Sequence, residues 1–145
     1  MACAHAPPAV APPAAPSRSL ALAVIPPESD AFPRAARALG ASLAAVKLRG
    51  VEQTRVSKAS LEVVQLSIEC VDPTDACYEA VGRSLSANRL LFARIDSGAT
   101  RRGLKVSVTL YDVDARTAKR TAEKSFATED DATAGAAALV AEVTR

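Results

Sequence analysis

The clearest periodicity in this chain lies at residues 104–110, LKVSVTL, where Leu104, Val106, Val108 and Leu110 alternate strictly with Lys105, Ser107 and Thr109. A period of two puts the apolar set on one sheet face and the polar set on the other, which predicts a half-buried strand. Leu20 to Ile25 (LALAVI) and Leu90 to Ile95 (LLFARI) are instead continuous apolar runs, the pattern of strands covered on both faces. Pro26-Pro27 ends the first of them. Phe32, Ala36, Leu39, Leu43 and Val46 then recur at spacings of 4, 3, 4 and 3, a helix with one apolar face, with Ser29 or Asp30 as its cap and Pro33 in its first turn.

The remaining segments carry weaker patterns. After Gly50, Val51 to Lys58 reads as an edge strand or a loop. Ser60 caps a second helix with Leu61, Val64, Leu66 and Ile68 inward, although its β-branched content leaves a strand open. Asp75 caps a third helix, from Ala76 to about Ala87, with Val81 and Leu85 inward. In KRTAEKSF, Ala122 and Phe126 point inward from an edge strand whose Arg120, Glu123 and Lys124 oppose edge-to-edge pairing. Thr128 and Asp131 form a capping-box-like T-x-x-D, and the last helix buries Ala132, Ala136, Leu139, Val140 and Val143. The order β-α-(β)-α-α-β-β-β-α predicts an α/β fold: a single small mixed sheet of four to five strands with about four helices packed on it.

Residues 1–17 differ from all of this. They hold five of the nine prolines and, apart from His5, no ionisable side chain other than Cys3. Such a Pro/Ala stretch favours extended polyproline II and cannot bury enough area to fold alone. The expected organisation is therefore a flexible tether over 1–18 and one α/β domain over 19–145, a size that accommodates a single core.

Composition narrows the function classes. Of the 145 residues 49% are hydrophobic and 23% charged, and the 18 cations are interleaved with 16 anions for a net charge of +2, too weak a field for phosphate backbones. Trp is absent and aromatics make up 3%, with Phe32, Phe92 and Phe126 all in apolar registers, so stacking platforms for nucleic acid are lacking. No apolar run is long enough to span a bilayer.

Candidate chemistry is equally sparse. The single histidine, His5, sits in the tether without a second ligand, which suits a solvated residue better than a metal site. Nucleophilic catalysis wants a base beside Ser or Cys, and Ser84, Ser86 and Ser97 read as helix-end and turn residues. The strand ending at Ile25 is followed by Pro-Pro-Glu, with none of the glycines of a phosphate loop. Asp112 and Asp114, and Glu129 to Asp131, are carboxylate groups that turn chemistry and helix starts explain more simply than a cation. No catalytic residue, metal or cofactor is expected.

Cys70 and Cys77 bracket a Pro73-containing turn between two helices, a geometry that can bring them within bonding reach. A structural bridge is expected in an oxidising compartment, and two reduced thiols in a cytosolic one. That leaves Cys3. A small residue followed by Cys and a long Pro/Ala linker resembles the mature start of a bacterial lipoprotein, in which that Cys carries the lipid; the charged and apolar regions of an export signal do not precede it in this sequence.

CVDPTDACYEAVGRSLSANRLLFARI leading into GLKVSVTLYDVDA resembles the bacterial envelope domains of the TolB amino-terminal, curli-secretion lipoprotein (CsgG) and flagellar-assembly lipoprotein (FlgO) type. There a C…C…(I/V)G..L.A..L(L/V) segment precedes a strand ending in a D..TG turn. The likeness covers residues 70–113 by motif and 20–143 by element order. This chain departs from it at Ser86-Ala87, where Gly-Ala is usual, at Ala118 after Thr117, where the turn glycine is expected, and at Ala93-Arg94, where the strand commonly ends in Gly. The resemblance implies a non-catalytic, lipid-anchored or periplasmic domain at the outer membrane that binds or helps assemble other envelope proteins, with self-association open. Candidate partner contacts are Arg101 and Arg102 at a hairpin tip, the polar strand face of Lys105, Ser107 and Thr109, and the edge near Arg120 and Lys124. A cytosolic adaptor with reduced cysteines, and then a small-ligand-binding domain, are the alternatives.

Overall fold

The computed structural model describes residues 7–13 and 19–145. Cys3 and His5 lie outside the described residues. The chain forms β1 (Leu20–Ile25), α1 (Pro33–Ala44), β2 (Val51–Val56), α2 (Leu61–Ser67), α3 (Asp75–Ser84), β3 (Arg89–Ser97), β4 (Leu104–Asp112), β5 (Thr117–Phe126) and α4 (Glu129–Thr144). This is the expected order, with the segment after Gly50 resolved as a strand. The five strands make one mixed sheet in the order β2-β1-β3-β4-β5. β1 runs parallel to both β2 and β3. The β3–β4 and β4–β5 pairs are antiparallel.

Strand alternation divides the core in two. Leu22 and Val24 pack in one cluster with Leu91, Val106, Val108 and the apolar faces of α1 and α4. Ala23 and Ile25 join Leu90, Phe92 and Tyr111 beneath α2 and α3 in the other. Chain direction explains the split: the β1-to-β2 connection moves one way across the sheet and the β2-to-β3 connection moves back, and right-handed crossovers then place their helices on opposite faces. LALAVI and the start of LLFARI are apolar throughout because they lie under both layers.

Helix ends show where local signals fall short. Neither Ser29 nor Asp30 caps α1: the N-cap is Phe32, whose N–H donates to Ser29 Oγ at 3.0 Å. The free N–H groups of Arg34 and Ala35 donate to Glu129 Oε1, at 2.6 and 3.1 Å, so a carboxylate from the start of α4 completes the cap. Ser60 and Thr128 cap their helices as expected, whereas Thr74, not Asp75, caps α3. That helix also ends earlier than Ala87, at Ser84.

Both α2 and α3 close with the same paired hydrogen bonds. Glu69 N–H donates to Leu66 O and Cys70 N–H to Gln65 O; Ser86 N–H donates to Arg83 O and Ala87 N–H to Gly82 O. This 5→2 and 6→1 pattern requires a left-handed residue between, here Glu69 (φ 56°) and Ser86 (φ 52°). A side chain in that conformation costs about 1 kcal/mol, which glycine avoids. Ser86→Gly is therefore expected to raise stability by about 0.5–1 kcal/mol, read as a higher denaturation midpoint at unchanged m-value.

Candidate functional site

The candidate contacts from the sequence do not converge on one surface. Lys105, Ser107 and Thr109 occupy the sheet face opposite α1 and α4, and are half-buried. α3 packs over the far end of that face, at Tyr111 and Val113, leaving a polar strip across β3, β4 and β5. Register places Arg94 beside Ser107 and Asp96 beside Lys105 on one side, with Thr121 and Glu123 beside Thr109 and Ser107 on the other. Lys105 Nζ lies 2.8 Å from Glu123 Oε1, and the Thr109 and Thr121 hydroxyls are 3.4 Å apart. These internal pairs make the strip a self-satisfied polar face.

Arg120 and Lys124 belong to the opposite face, in register with Leu110 and Val106. The Arg120 guanidinium donates to the backbone carbonyl of Arg145, and Lys124 Nζ sits 5.3 Å from the Phe126 ring centroid. Both are already engaged along the α4 border. Arg101 and Arg102 occupy a third place, lining a hollow of about 360 Å³ at the N-terminal ends of α1 and α4 with Arg34, Glu129 and Asp130. Arg34 spans the two acidic residues there, at 3.3 Å from Glu129 and 2.5 Å from Asp130.

The sulfur atoms of Cys70 and Cys77 are joined, with a Cα–Cα distance of 5.4 Å. The bond links the C-terminal end of α2 to the first turn of α3 across Pro73. Tyr78, next to Cys77 on α3, stacks on Phe92 and tilts against Tyr111, with both centroid separations 5.2 Å. Tyr111 Oη donates to Asp75 Oδ1 at 3.0 Å, and burial, followed by that carboxylate, pushes its pKa up to about 12. The phenol is a structural donor that stays protonated.

Charge is organised around the same helix. Glu79, nearly buried on α3, accepts from Arg83 at 2.6 Å and from Arg116, which reaches over from the β4–β5 turn. Hydrogen bonds from Arg83 and then Arg116 hold the Glu79 carboxyl below its ordinary value of 4.5. A depressed carboxylate pKa adds stability that is present above the ordinary value and disappears as pH falls through the folded one. Thermal midpoints measured from neutral to acid pH are thus expected to fall more steeply for the wild type than for Glu79→Gln, the gap closing in acid. Asp112 answers the question of the paired carboxylates: it accepts from Ala115 N–H at 3.0 Å and from Arg89 at 2.9 Å, so it builds the turn.

One exposed feature escaped sequence reading. Leu66, expected to point inward, is 65% exposed, and Val63, three residues earlier on the same helix, is 51% exposed. Gln65 takes the inward position, its Nε2 donating to Cys77 Sγ at 3.5 Å. Val71, next to the disulfide, is also 65% exposed. The VVQL run of α2 is ambiguous in period, and only the direction of its cap fixes which residues turn outward.

Among the described residues no helix is long and apolar enough to cross a membrane, and no group of three His, Cys, Asp or Glu side chains is placed to hold a metal ion. An open hollow of about 540 Å³ is bordered by Ser19, Gln53, Arg83, Asn88 and Asp114. Its Asn88 Oδ1 already accepts from Ala21 N–H at 2.7 Å.

Neither a family model nor a curated protein sequence matches this chain. Among solved structures it is similar to the LpoB C-terminal domain from Salmonella enterica, at 13% identity and a TM-score of 0.46, covering 74% of this chain and 82% of that one. It is also similar to the PelC dodecamer from Paraburkholderia phytofirmans, at 16% identity and a TM-score of 0.45, covering 88% and 87%. TolB from Acinetobacter baumannii is similar at 14% identity and a TM-score of 0.42 over 89% of this chain and 29% of that protein.

Proposed function

We propose that this chain is a non-catalytic lipoprotein domain of the bacterial cell envelope that binds or helps assemble other envelope proteins. In this reading Cys3 carries a lipid at the outer membrane, the Pro/Ala segment spaces the α/β domain away from it, and the domain works in the periplasm. The observation that supports it most is the Cys70–Cys77 bridge, because disulfides persist in oxidising compartments and are rare where glutathione keeps thiols reduced. The motif resemblance of residues 70–113 to the TolB, CsgG and FlgO class, and the resemblance of the tether to a lipoprotein start, point the same way. Exposed apolar side chains beside the bridge suit a domain that docks a partner.

The test uses protein expressed in its source cell from its own gene, grown with an alkyne-bearing fatty acid. The label is expected on the wild type and absent from Cys3→Ser, with the protein in the membrane fraction and one free thiol or none after denaturation without reductant. Three free thiols and no lipid label would overturn the reading in favour of a cytosolic adaptor.

A further inference from the structure

From the exposed apolar side chains of α2 and the charges around them, we infer that the α2–disulfide face is a docking surface for a cationic amphipathic segment of a partner protein. The inference deepens the docking function proposed above and rests on it. Val63, Leu66 and Val71 are three of the five large hydrophobic side chains most exposed among the described residues. Val63 and Leu66 share a helix face, and Val71 follows Cys70, whose N–H is bonded to Gln65 O at the end of that helix. The bridge to Cys77 and the bond from Gln65 hold this end of α2 against α3, so the apolar side chains stand on a fixed support.

The charge around them is of one sign. Between Lys58 and Arg83 the chain contains Glu62, Glu69, Asp72, Asp75 and Glu79 and no Lys or Arg, in a protein whose net charge is +2. Glu79 is committed to Arg83 and Arg116, and Asp75 to Tyr111. Glu62, Glu69 and Asp72 take part in none of the ion pairs among the described residues. All three are exposed, with Glu62 and Glu69 on or just beyond the helix that presents Val63 and Leu66. An apolar centre rimmed by unpaired carboxylates is complementary to a segment with Leu- or Phe-type anchors and Lys or Arg flanks. The same rim repels an anionic lipid surface, which separates this face from a membrane-binding one.

The probe is a Leu/Lys amphipathic helical peptide, with a Leu/Glu peptide of the same length as control, titrated into the full chain and followed by backbone amide shifts. Saturable binding of the Leu/Lys peptide is expected, with shifts centred on residues 61–77, weakened by salt and at least about tenfold weaker in Leu66→Glu and in Glu62→Lys/Glu69→Lys. Leu66 is exposed, so an unchanged thermal midpoint accompanies the loss in Leu66→Glu, while Glu62→Lys/Glu69→Lys, which reverses the first-turn acid of α2, is expected to lower the midpoint slightly and is read alongside it. Equal binding of the Leu/Glu peptide, shifts centred elsewhere, or no saturable binding would overturn the inference. So would co-sedimentation with vesicles of three parts phosphatidylcholine to one part phosphatidylglycerol that Leu66→Glu abolishes. None of these outcomes alters the lipid label on Cys3, so failure here is distinct from failure of the envelope reading.

Discussion

Replacing both Cys70 and Cys77 by alanine is expected to lower stability by about 2 to 3 kcal/mol, the loop-closure value for a ring of this length. The bridge spans a sequence separation of 7 and bonds the end of one helix to the start of the next. α2 is only 7 residues long, too short to hold its shape without tertiary support. Its supports are the burial of Leu61 and Val64, the Ser60 cap, the terminal bonds at Glu69 and Cys70, and the disulfide. The loss should therefore be uneven. Amide exchange is expected to quicken most over residues 61–77, while amides of α1, α4 and β4 keep their protection relative to the global limit. Equilibrium unfolding of the oxidised wild type and the double variant checks the magnitude; equal midpoints would show that the bridge adds nothing to the fold. The single variants should fare no better, since each breaks the bridge and leaves one thiol unpaired, that of Cys77 beside Gln65 Nε2 when Cys70 is replaced.

Gly82→Ala is expected to cost about 1 to 3 kcal/mol, even though alanine is the better helix former. Gly82 lies inside α3, where a Cβ would stand 2.3 Å from Val113 Cγ2 and 2.9 Å from Val113 Cγ1. Val113 is 3% exposed and β-branched, so its methyl groups cannot swing away without displacing the β4–β5 turn. The carbonyl of Ala87, 3.2 Å from the same point, blocks the other side. The measurement is a double-mutant cycle on unfolding free energy. Val113→Ala alone should destabilise by opening a void; combined with Gly82→Ala the two changes should cost clearly less than their sum, because one fills what the other empties. Additive losses would mean that the helix and the turn do not share that space.

The same residue shows how the sequence and the tertiary structure share the account. Within the V-G-x-x-L-x-A-x-x-L-L stretch the glycine reads as a concession in a helix, and nothing local names Val113, 31 positions on, as its cause. Strict alternation in β4, by contrast, fixed both of its faces, and the apolar runs of β1 and β3 announced strands covered on two sides. The Cys70–Cys77 pairing was also accessible, because a short proline-bearing turn leaves few arrangements for the two sulfurs.

Where a decision belonged to distant partners, local pattern was mute. Glu129 completes the cap of α1 across a sequence gap of 94 to 95 residues, a role invisible beside its reading as first-turn acid of α4. Lys105 and Arg120 look like kindred surface cations along the chain, yet strand register sends them to opposite faces.

Periodicity and turn chemistry thus determined most of the element order and the main core residues, because each depends on neighbours within a few residues. Tertiary packing alone decided which charges are spent on internal pairs and which remain free around Val63 and Leu66. Pairing energy depends on distance in space, and the fold joins positions that the chain keeps far apart.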